Sequence, residues 1–275
     1  MSMHVTSVGA LRDPICRYPG STLPVRGPCA ELTPPYVAFL GGSETFGRFI
    51  EAPFVARVAH QLGQSCVNLG SINAGLDAML NDAGVMRIAA GAGLSVVQLP
   101  PVQDLSNLYY RVHPRRNDRF LAPTARLTAL YPKVDFTEFH FTRHLVTTLH
   151  QTGPGHFALL RDELRAVWLA RMTQLLQALG ERAFLLWLQY DALPPQAGDL
   201  PGPDPLAVTD AMVERLKPLA RGVVEVPVTL AGHVPGETGK MVFGPLQAPA
   251  AGHMPGPAMH QRIATRLSAA ITALH

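Results

Sequence analysis

The sequence predicts an α/β domain of three layers, a parallel sheet of about five strands held between helices in a flavodoxin-like arrangement. Three observations carry this expectation. Short apolar runs of strand type recur along the chain, and longer amphipathic segments separate them. One such run ends on a glycine pair, Gly41-Gly42, and hands over to a helical pattern, as strands do at the carboxyl edge of a parallel sheet. Hydrophobic residues make up 47% and charged residues 16% of the 275 residues, so the chain has the material for a large core and lacks the charge of a disordered one.

Residues 1–35 contain Pro14, Pro19, Pro24, Pro28, Pro34 and Pro35, a density that forbids long helices and predicts an extended arm laid over the domain. A single domain is expected over 36–275. Its strands fall at Tyr36–Leu40, Cys66–Leu69, Ser95–Leu99, Phe184–Leu188 and Val223–Thr229. Helices are expected near Pro53–Leu62, Leu76–Ala90, Phe157–Leu179 and Pro205–Leu219. Pro53 suits a first turn and Gly63 a C-terminal stop. In the final segment, Pro257–Leu274, residues Met259, Ile263, Leu267 and Ile271 recur at four-residue spacing and define one apolar face. An inserted segment, 104–155, is rich in aromatics, arginine and histidine, and Leu193–Pro205 reads as a surface loop.

Composition removes several function classes. A net charge of +3 without a basic face gives no nucleic-acid footprint. No apolar run approaches the roughly 18–20 residues that span a bilayer. Cys16, Cys29 and Cys66 are odd in number and widely spaced, so neither a disulfide framework nor a zinc site is expected. The first residues lack a basic start followed by an apolar stretch, and a cytoplasmic protein without a cofactor is the expectation.

The turn after the first strand, YVAFLGGSETFGRF, is where a ligand is expected, with Ser43 at the sheet edge. Glycines 41, 42 and 47 do not form the dinucleotide pattern G-x-G-x-x-G. The spacing Gly42 to Gly47 suits a phosphate loop, but Arg48 and Phe49 stand where lysine and a magnesium-binding hydroxyl are required. The elbow G-x-S-x-G fails at Thr45.

FLGGSETFG resembles the first sequence block of the SGNH (GDSL-type) hydrolase superfamily. Val67–Gly75 (VNLGSINAG), Val96–Asp104 (VVQLPPVQD) and Ala250–Ala264 (AAGHMPGPAMHQRIA) resemble its second, third and fifth blocks, in order. GGSETFG, VNLGSINAGLD, VHPRRNDRFL and DFTEFHFTRH together also resemble an alphaproteobacterial family of unassigned activity. The superfamily resemblance implies an esterase, or a carbohydrate O-acyl hydrolase or transferase, acting on a small-molecule or glycan ester. Ser43 is the implied nucleophile and His253 the base, with oxyanion or substrate contacts from Gly42, Gly70, Asn73, Gly75 and Gln103. The chain departs from the pattern at Gly42, Gln103 and Ala250, where aspartate, asparagine and aspartate are usual. The missing aspartate leaves the orientation of His253 without an assigned partner.

Other readings of the same residues stand beside this one. Ser43 at a strand–helix junction suits an N-cap, and His253 suits a surface loop beside Pro255, with His260 and His233 as further candidates for a base. Arg115 and Arg116 suit the grip of a phosphate or sulfate, which makes a transferase using the Gly41–Gly47 turn an alternative. A non-catalytic binding protein on the same fold is another. In DFTEFHFTRH, His140 and His144 share a face if helical, but no metal motif is present and a half-buried helix is expected. Trp168 and Trp187 lie in apolar runs and are expected in the core.

Overall fold

The computed structural model describes residues 14–190 and 206–274. Five strands form the central sheet: β1 (Val37–Leu40), β2 (Cys66–Asn68), β3 (Leu94–Gln98), β4 (Ala183–Tyr190) and β5 (Val223–Val228). All are parallel, in the spatial order β2-β1-β3-β4-β5. The chain therefore begins inside the sheet, goes out to one edge, and returns past β1 to build the other side. The order reverses at the carboxyl ends of β1 and β3, the place where open α/β sheets bind ligands. β3 is buried over its whole length, so its sequence shows no polar–apolar alternation, and its buried Ser95 hydroxyl donates to Ala89 O at 2.7 Å.

Ten helices are described: α1 (Ser43–Phe46), α2 (Phe54–Leu62), α3 (Leu76–Leu80), α4 (Ala83–Gly91), α5 (Ala125–Leu130), α6 (Thr142–Thr152), α7 (Pro154–Leu179), α8 (Asp210–Leu216), α9 (Ala248–Gly252) and α10 (Pro257–Thr272). α2 and α10 cover one face, where Phe54, Val58, Ile263, Leu267 and Ile271 pack on Val37 and Phe39. The alternate strand residues Ala38 and Leu40 face a larger core shared with α4, α7 and α8. Trp168 of α7 is fully buried there and donates its indole N–H to Pro100 O at 3.0 Å. Trp187 is buried as well. On the outer strand β5, Arg266 of α10 donates to Glu225 O at 2.8 Å, and Pro227 interrupts the run of backbone donors.

The segment expected as one helix over Leu76–Ala90 is two. Asp82 breaks it, because its carboxylate accepts from Val85 N (2.9 Å) as a cap and also from Thr22 N (2.7 Å) and Thr22 Oγ1 (3.0 Å). Burial works against charge at this carboxyl, but these donors outweigh it and hold the pKa below the usual carboxylate value.

The cysteine expectation is corrected: Cys16 and Cys29 form a disulfide, with Cα atoms 5.1 Å apart. A two-residue antiparallel ladder, Ile15–Cys16 against Val25–Arg26, brings them together. Nothing in the spacing of a proline-rich arm shows that pairing. Cys66 is free, and burial pushes its thiol up to about 12.

The inserted segment contains a hairpin, Tyr110–His113 against Arg116–Pro123, followed by α5 and α6. The helix expected over Asp135–His144 is also corrected. Phe136–Glu138 form a single 3-10 turn and α6 begins only at Thr142, so His140 and His144 do not share a helical face. No group of three or more metal-ligand side chains occurs among the described residues. Among them no helix is long and apolar enough to cross a membrane. The expected loop at 193–205, the start of the Pro205 helix and the first residues of the arm lie outside the described residues.

Candidate active site at the carboxyl edge of the sheet

β1 ends at Leu40, and Gly41 must be glycine: a Cβ there would lie 2.2 Å from Thr45 Oγ1 and 2.5 Å from Gln98 Oε1. That close approach lets the chain turn directly into α1. Ser43 is the first residue of α1, Gly42 is its N-cap, and no side chain caps it, so Ser43 does not act as the N-cap. Its hydroxyl is instead directed at the loop after β2. Ser43 Oγ donates to Asn73 Oδ1 at 3.0 Å and accepts from Asn73 N at 3.0 Å.

Asn73 reaches the serine because its backbone is left-handed, with φ of 60°, a conformation asparagine tolerates better than most side chains. The loop around it is pinned from several sides. Asn73 O accepts from Asn117 N at 3.0 Å. Asn117 Oδ1, fully buried, accepts from Gly75 N (3.0 Å) and Ala78 N (2.9 Å). Gly70 N is committed to Asn68 Oδ1 at 2.9 Å, and Asn68 Nδ2 holds Thr45 O at 2.8 Å. Of the expected loop donors, the N–H groups of Gly70 and Gly75 are therefore occupied, while that of Asn73 meets Ser43.

The end of β3 supplies a second set of contacts. Gln98 Oε1 accepts from Thr45 N (3.2 Å) and Thr45 Oγ1 (2.5 Å), and its Nε2 donates to Glu44 Oε2 at 3.0 Å. The other oxygen of Glu44 accepts from Tyr190 OH, at the end of β4, at 3.1 Å. Tyr190 is 44% exposed, and with the crowding around its hydroxyl the Glu44 carboxylate raises the phenol's pKa, so it stays a donor. Gln103 is buried, but its side chain makes no hydrogen bond among the described residues; its carbonyl accepts from Tyr110 OH at 2.7 Å.

His253 follows α9 and is exposed. The segment that carries it folds against the turn: Ala251 and Met254 pack with Phe49 and Ile50, and Phe49 O accepts from Val242 N at 2.8 Å. Among the described residues no hydrogen bond joins His253 to Ser43. His260 is fully buried in α10, where its Nδ1 accepts from Phe54 N at 3.0 Å. Burial, then Arg57 and Arg26, push its pKa down to about 3, so it is a neutral structural group and no base. His233 lies in the short turn Ala231–His233. Arg115 and Arg116 are exposed at the hairpin tip, and Arg116 pairs with Asp118 at 3.6 Å.

A polar cleft of about 500 Å³ lies beside the site rather than on it, between α3, α7 and the hairpin. Asp77, Asn81, Ser106, Asn117 and Arg171 line it, and Arg171 pairs with Asp77 inside it. Neither Ser43 nor His253 belongs to its wall.

Glu44, Gln98 and Tyr190 are the site groups that sequence reasoning missed. One signal was present: Gln98 is a long polar side chain at the end of a buried strand, at the edge where ligands bind in such sheets.

Comparison with solved structures returns distant matches. A carbohydrate esterase family 2 enzyme with its carbohydrate-binding domain, from Corynascus thermopiles (Myceliophthora fergusii), is 15% identical with a TM-score of 0.45, over 90% of this chain and 69% of that one. The lipase Lip_vut3 from a goat rumen metagenome is 14% identical with a TM-score of 0.43, over 86% and 97%. A carbohydrate esterase described as having divergent catalytic and non-catalytic binding functions is 11% identical with a TM-score of 0.42, over 91% and 67%. At this distance the matches carry no argument about activity. A comparison with curated proteins returns no match. One family model spans residues 1–275, and by it the chain belongs to the family described as Domain of unknown function (DUF6473).

Proposed function

We propose that the protein is a serine-dependent ester hydrolase or acyl transferase acting on a small-molecule or glycan ester, with Ser43 as nucleophile. The observation that carries this reading is the placement of Ser43 Oγ. It stands at the carboxyl edge of the sheet, 3.0 Å from Asn73 N, which donates to it, and 3.0 Å from Asn73 Oδ1, to which it donates. In the reaction Ser43 Oγ bonds to the ester carbonyl carbon and its proton passes to His253. The backbone N–H of Asn73 holds the oxyanion, joined by Asn73 Nδ2 once the side-chain amide turns over, and the alcohol leaves with the proton from His253. Water, or an acceptor hydroxyl in a transferase, then takes the acyl group from Ser43. One oxyanion donor of this kind is worth about 2.7–4 kcal/mol of barrier.

A fluorophosphonate probe tests the assignment. Labelling of the native protein that is lost in Ser43→Ala and reduced in His253→Ala is the expected result. Labelling that survives in Ser43→Ala overturns the nucleophile. A native protein that takes no label favours a second reading, a non-catalytic binding protein on this fold. The resting bond from Ser43 to Asn73 Oδ1 and the absence of a carboxylate at Ala250 support that second reading. An anion-binding transferase, the other alternative, requires thermal stabilisation by sulfate that is lost in an Arg115→Ala, Arg116→Ala double variant. The cytoplasmic location expected from the sequence sits against the Cys16–Cys29 bond, since disulfides persist in oxidising compartments. Thiol alkylation of freshly lysed cells decides whether the bond exists in place.

A further inference from the structure

We propose that Arg26, in the disulfide-closed arm, is the positioning residue that sets Ser43 against Asn73; this rests on the reading of Ser43 as nucleophile. Arg26 is 7% exposed, and one residue grips both halves of the site. Its side chain holds the far end of the serine turn: Nη1 donates to Gly47 O at 3.0 Å, and Nη2 donates to Ile50 O at 2.9 Å and Glu51 O at 3.1 Å. The guanidinium also lies 5.5 Å over the ring of Phe46, the last residue of α1. Its backbone holds the other half, since Arg26 N donates to Gly70 O at 3.2 Å. Its neighbours continue that seam. Val25 bridges Ser71, and Ser71 Oγ donates to Pro24 O at 2.9 Å.

The geometry follows from this double attachment. Gly47 closes the helix that begins at Ser43, and Gly70 and Ser71 open the loop that ends at Asn73. The Ser43–Asn73 contact depends on how these two segments sit relative to each other. Their direct contacts lie along the start and middle of α1: Ser71 N donates to Gly41 O at 3.1 Å, and Asn68, whose Oδ1 takes Gly70 N, donates through Nδ2 to Thr45 O at 2.8 Å. Arg26 supplies the brace at the other end. A planar fork that meets three carbonyls at once resists both sliding and rotation of the turn, which a single ammonium does not. The fork is itself anchored from behind. Arg26 pairs with Ile15 in the arm ladder, and the Cys16–Cys29 bond closes the loop that presents it.

The test uses the full chain with its disulfide intact and two substitutions, Arg26→Met and Arg26→Lys. Two readouts are taken on folded protein: the inactivation rate and affinity for a fluorophosphonate, and amide exchange in segments 43–48 and 70–74 against α10. A misplacement of about 1 Å costs up to about a hundredfold in rate. Arg26→Met is therefore expected to lose about tenfold to a hundredfold in inactivation rate with probe affinity unchanged. Exchange should quicken in both turns and not in α10, and Arg26→Lys should recover part of each effect. An inactivation rate within twofold of the native protein in Arg26→Met overturns the proposal. So does exchange that rises equally everywhere, or an Arg26→Lys variant indistinguishable from the native protein. If Arg26→Met does not fold, Arg26→Lys is read by the same criteria. If native protein takes no label but both turns loosen selectively, the brace stands and the hydrolase reading falls.

Discussion

The buried imidazole of His260 makes stability depend on pH, and between pH 8 and pH 5 its contribution lies above the ordinary carboxylate range. Its Nδ1 accepts from Phe54 N at 3.0 Å and its ring stacks on Phe54, so protonation removes the acceptor and leaves a buried cation near Arg57 and Arg26. The folded pKa is about 3 against 6.5 for an ordinary imidazole, so between these values the unfolded chain binds the proton and the fold does not. Stability is complete above about pH 6.5 and declines as pH falls, by about 5 kcal/mol in all once pH 3 is reached. From pH 8 to pH 5 the share due to this residue is about 2 kcal/mol, from RT ln(1 + 10^1.5). Urea unfolding followed by tryptophan fluorescence at the two pH values measures it, since Trp168 and Trp187 are both buried. In His260→Asn the amide oxygen takes the place of Nδ1 and nothing titrates, so the pH 8 to pH 5 loss should shrink by about 2 kcal/mol. An equal loss in both proteins would show that the imidazole is protonated in the fold, and would refute the buried-acceptor argument.

Two further outcomes follow from named contacts. Replacing both Cys16 and Cys29 by serine releases a loop of sequence separation 13, and a loop of that length is worth about 3 kcal/mol in the chain-entropy account. Denaturant midpoints with and without reductant should reproduce that loss in the native protein and show none in the variant. Asn117→Ala removes the acceptor of the N–H groups of Gly75 and Ala78, at a cost of at least about 2 kcal/mol. Because Asn117 also fixes the loop that presents Asn73, amide exchange at Gly75 and Ala78 should quicken more than in α10; uniform exchange would count against the assignment.

The layers of the fold were readable because a parallel sheet buried on both faces leaves a simple mark. The three inner strands are compact and mostly apolar, and the observed ends of all five differ from the expected ones by at most two residues. Ser43 and Asn73 are readable for a related reason, since each follows a strand end in a short turn. What stayed hidden depends on contacts between distant residues. The break at Asp82 is set by Thr22, sixty residues earlier in the chain. Tyr190 reaches Glu44 across a separation of 146 residues, and Gln98 reaches Thr45 across 53. Arg26 gives no local signal at all, because in a proline-rich arm no periodicity distinguishes a buried arginine from an exposed one. In DFTEFHFTRH the histidines are four apart, yet the helix begins too late to use that spacing.

The outer strand of the sheet has a consequence for what the molecule can join. An uncapped parallel edge offers a row of backbone donors and acceptors to any extended chain that drifts past. Here one acceptor of that row, Glu225 O, is already taken by Arg266, and Pro227 has no N–H to give. At the opposite edge, β2 is only three residues long. A sixth strand, whether from another copy or from a misfolded neighbour, meets an interrupted ladder on one side and a short one on the other. Both margins are poor templates for growth, which disfavours fibrous stacking.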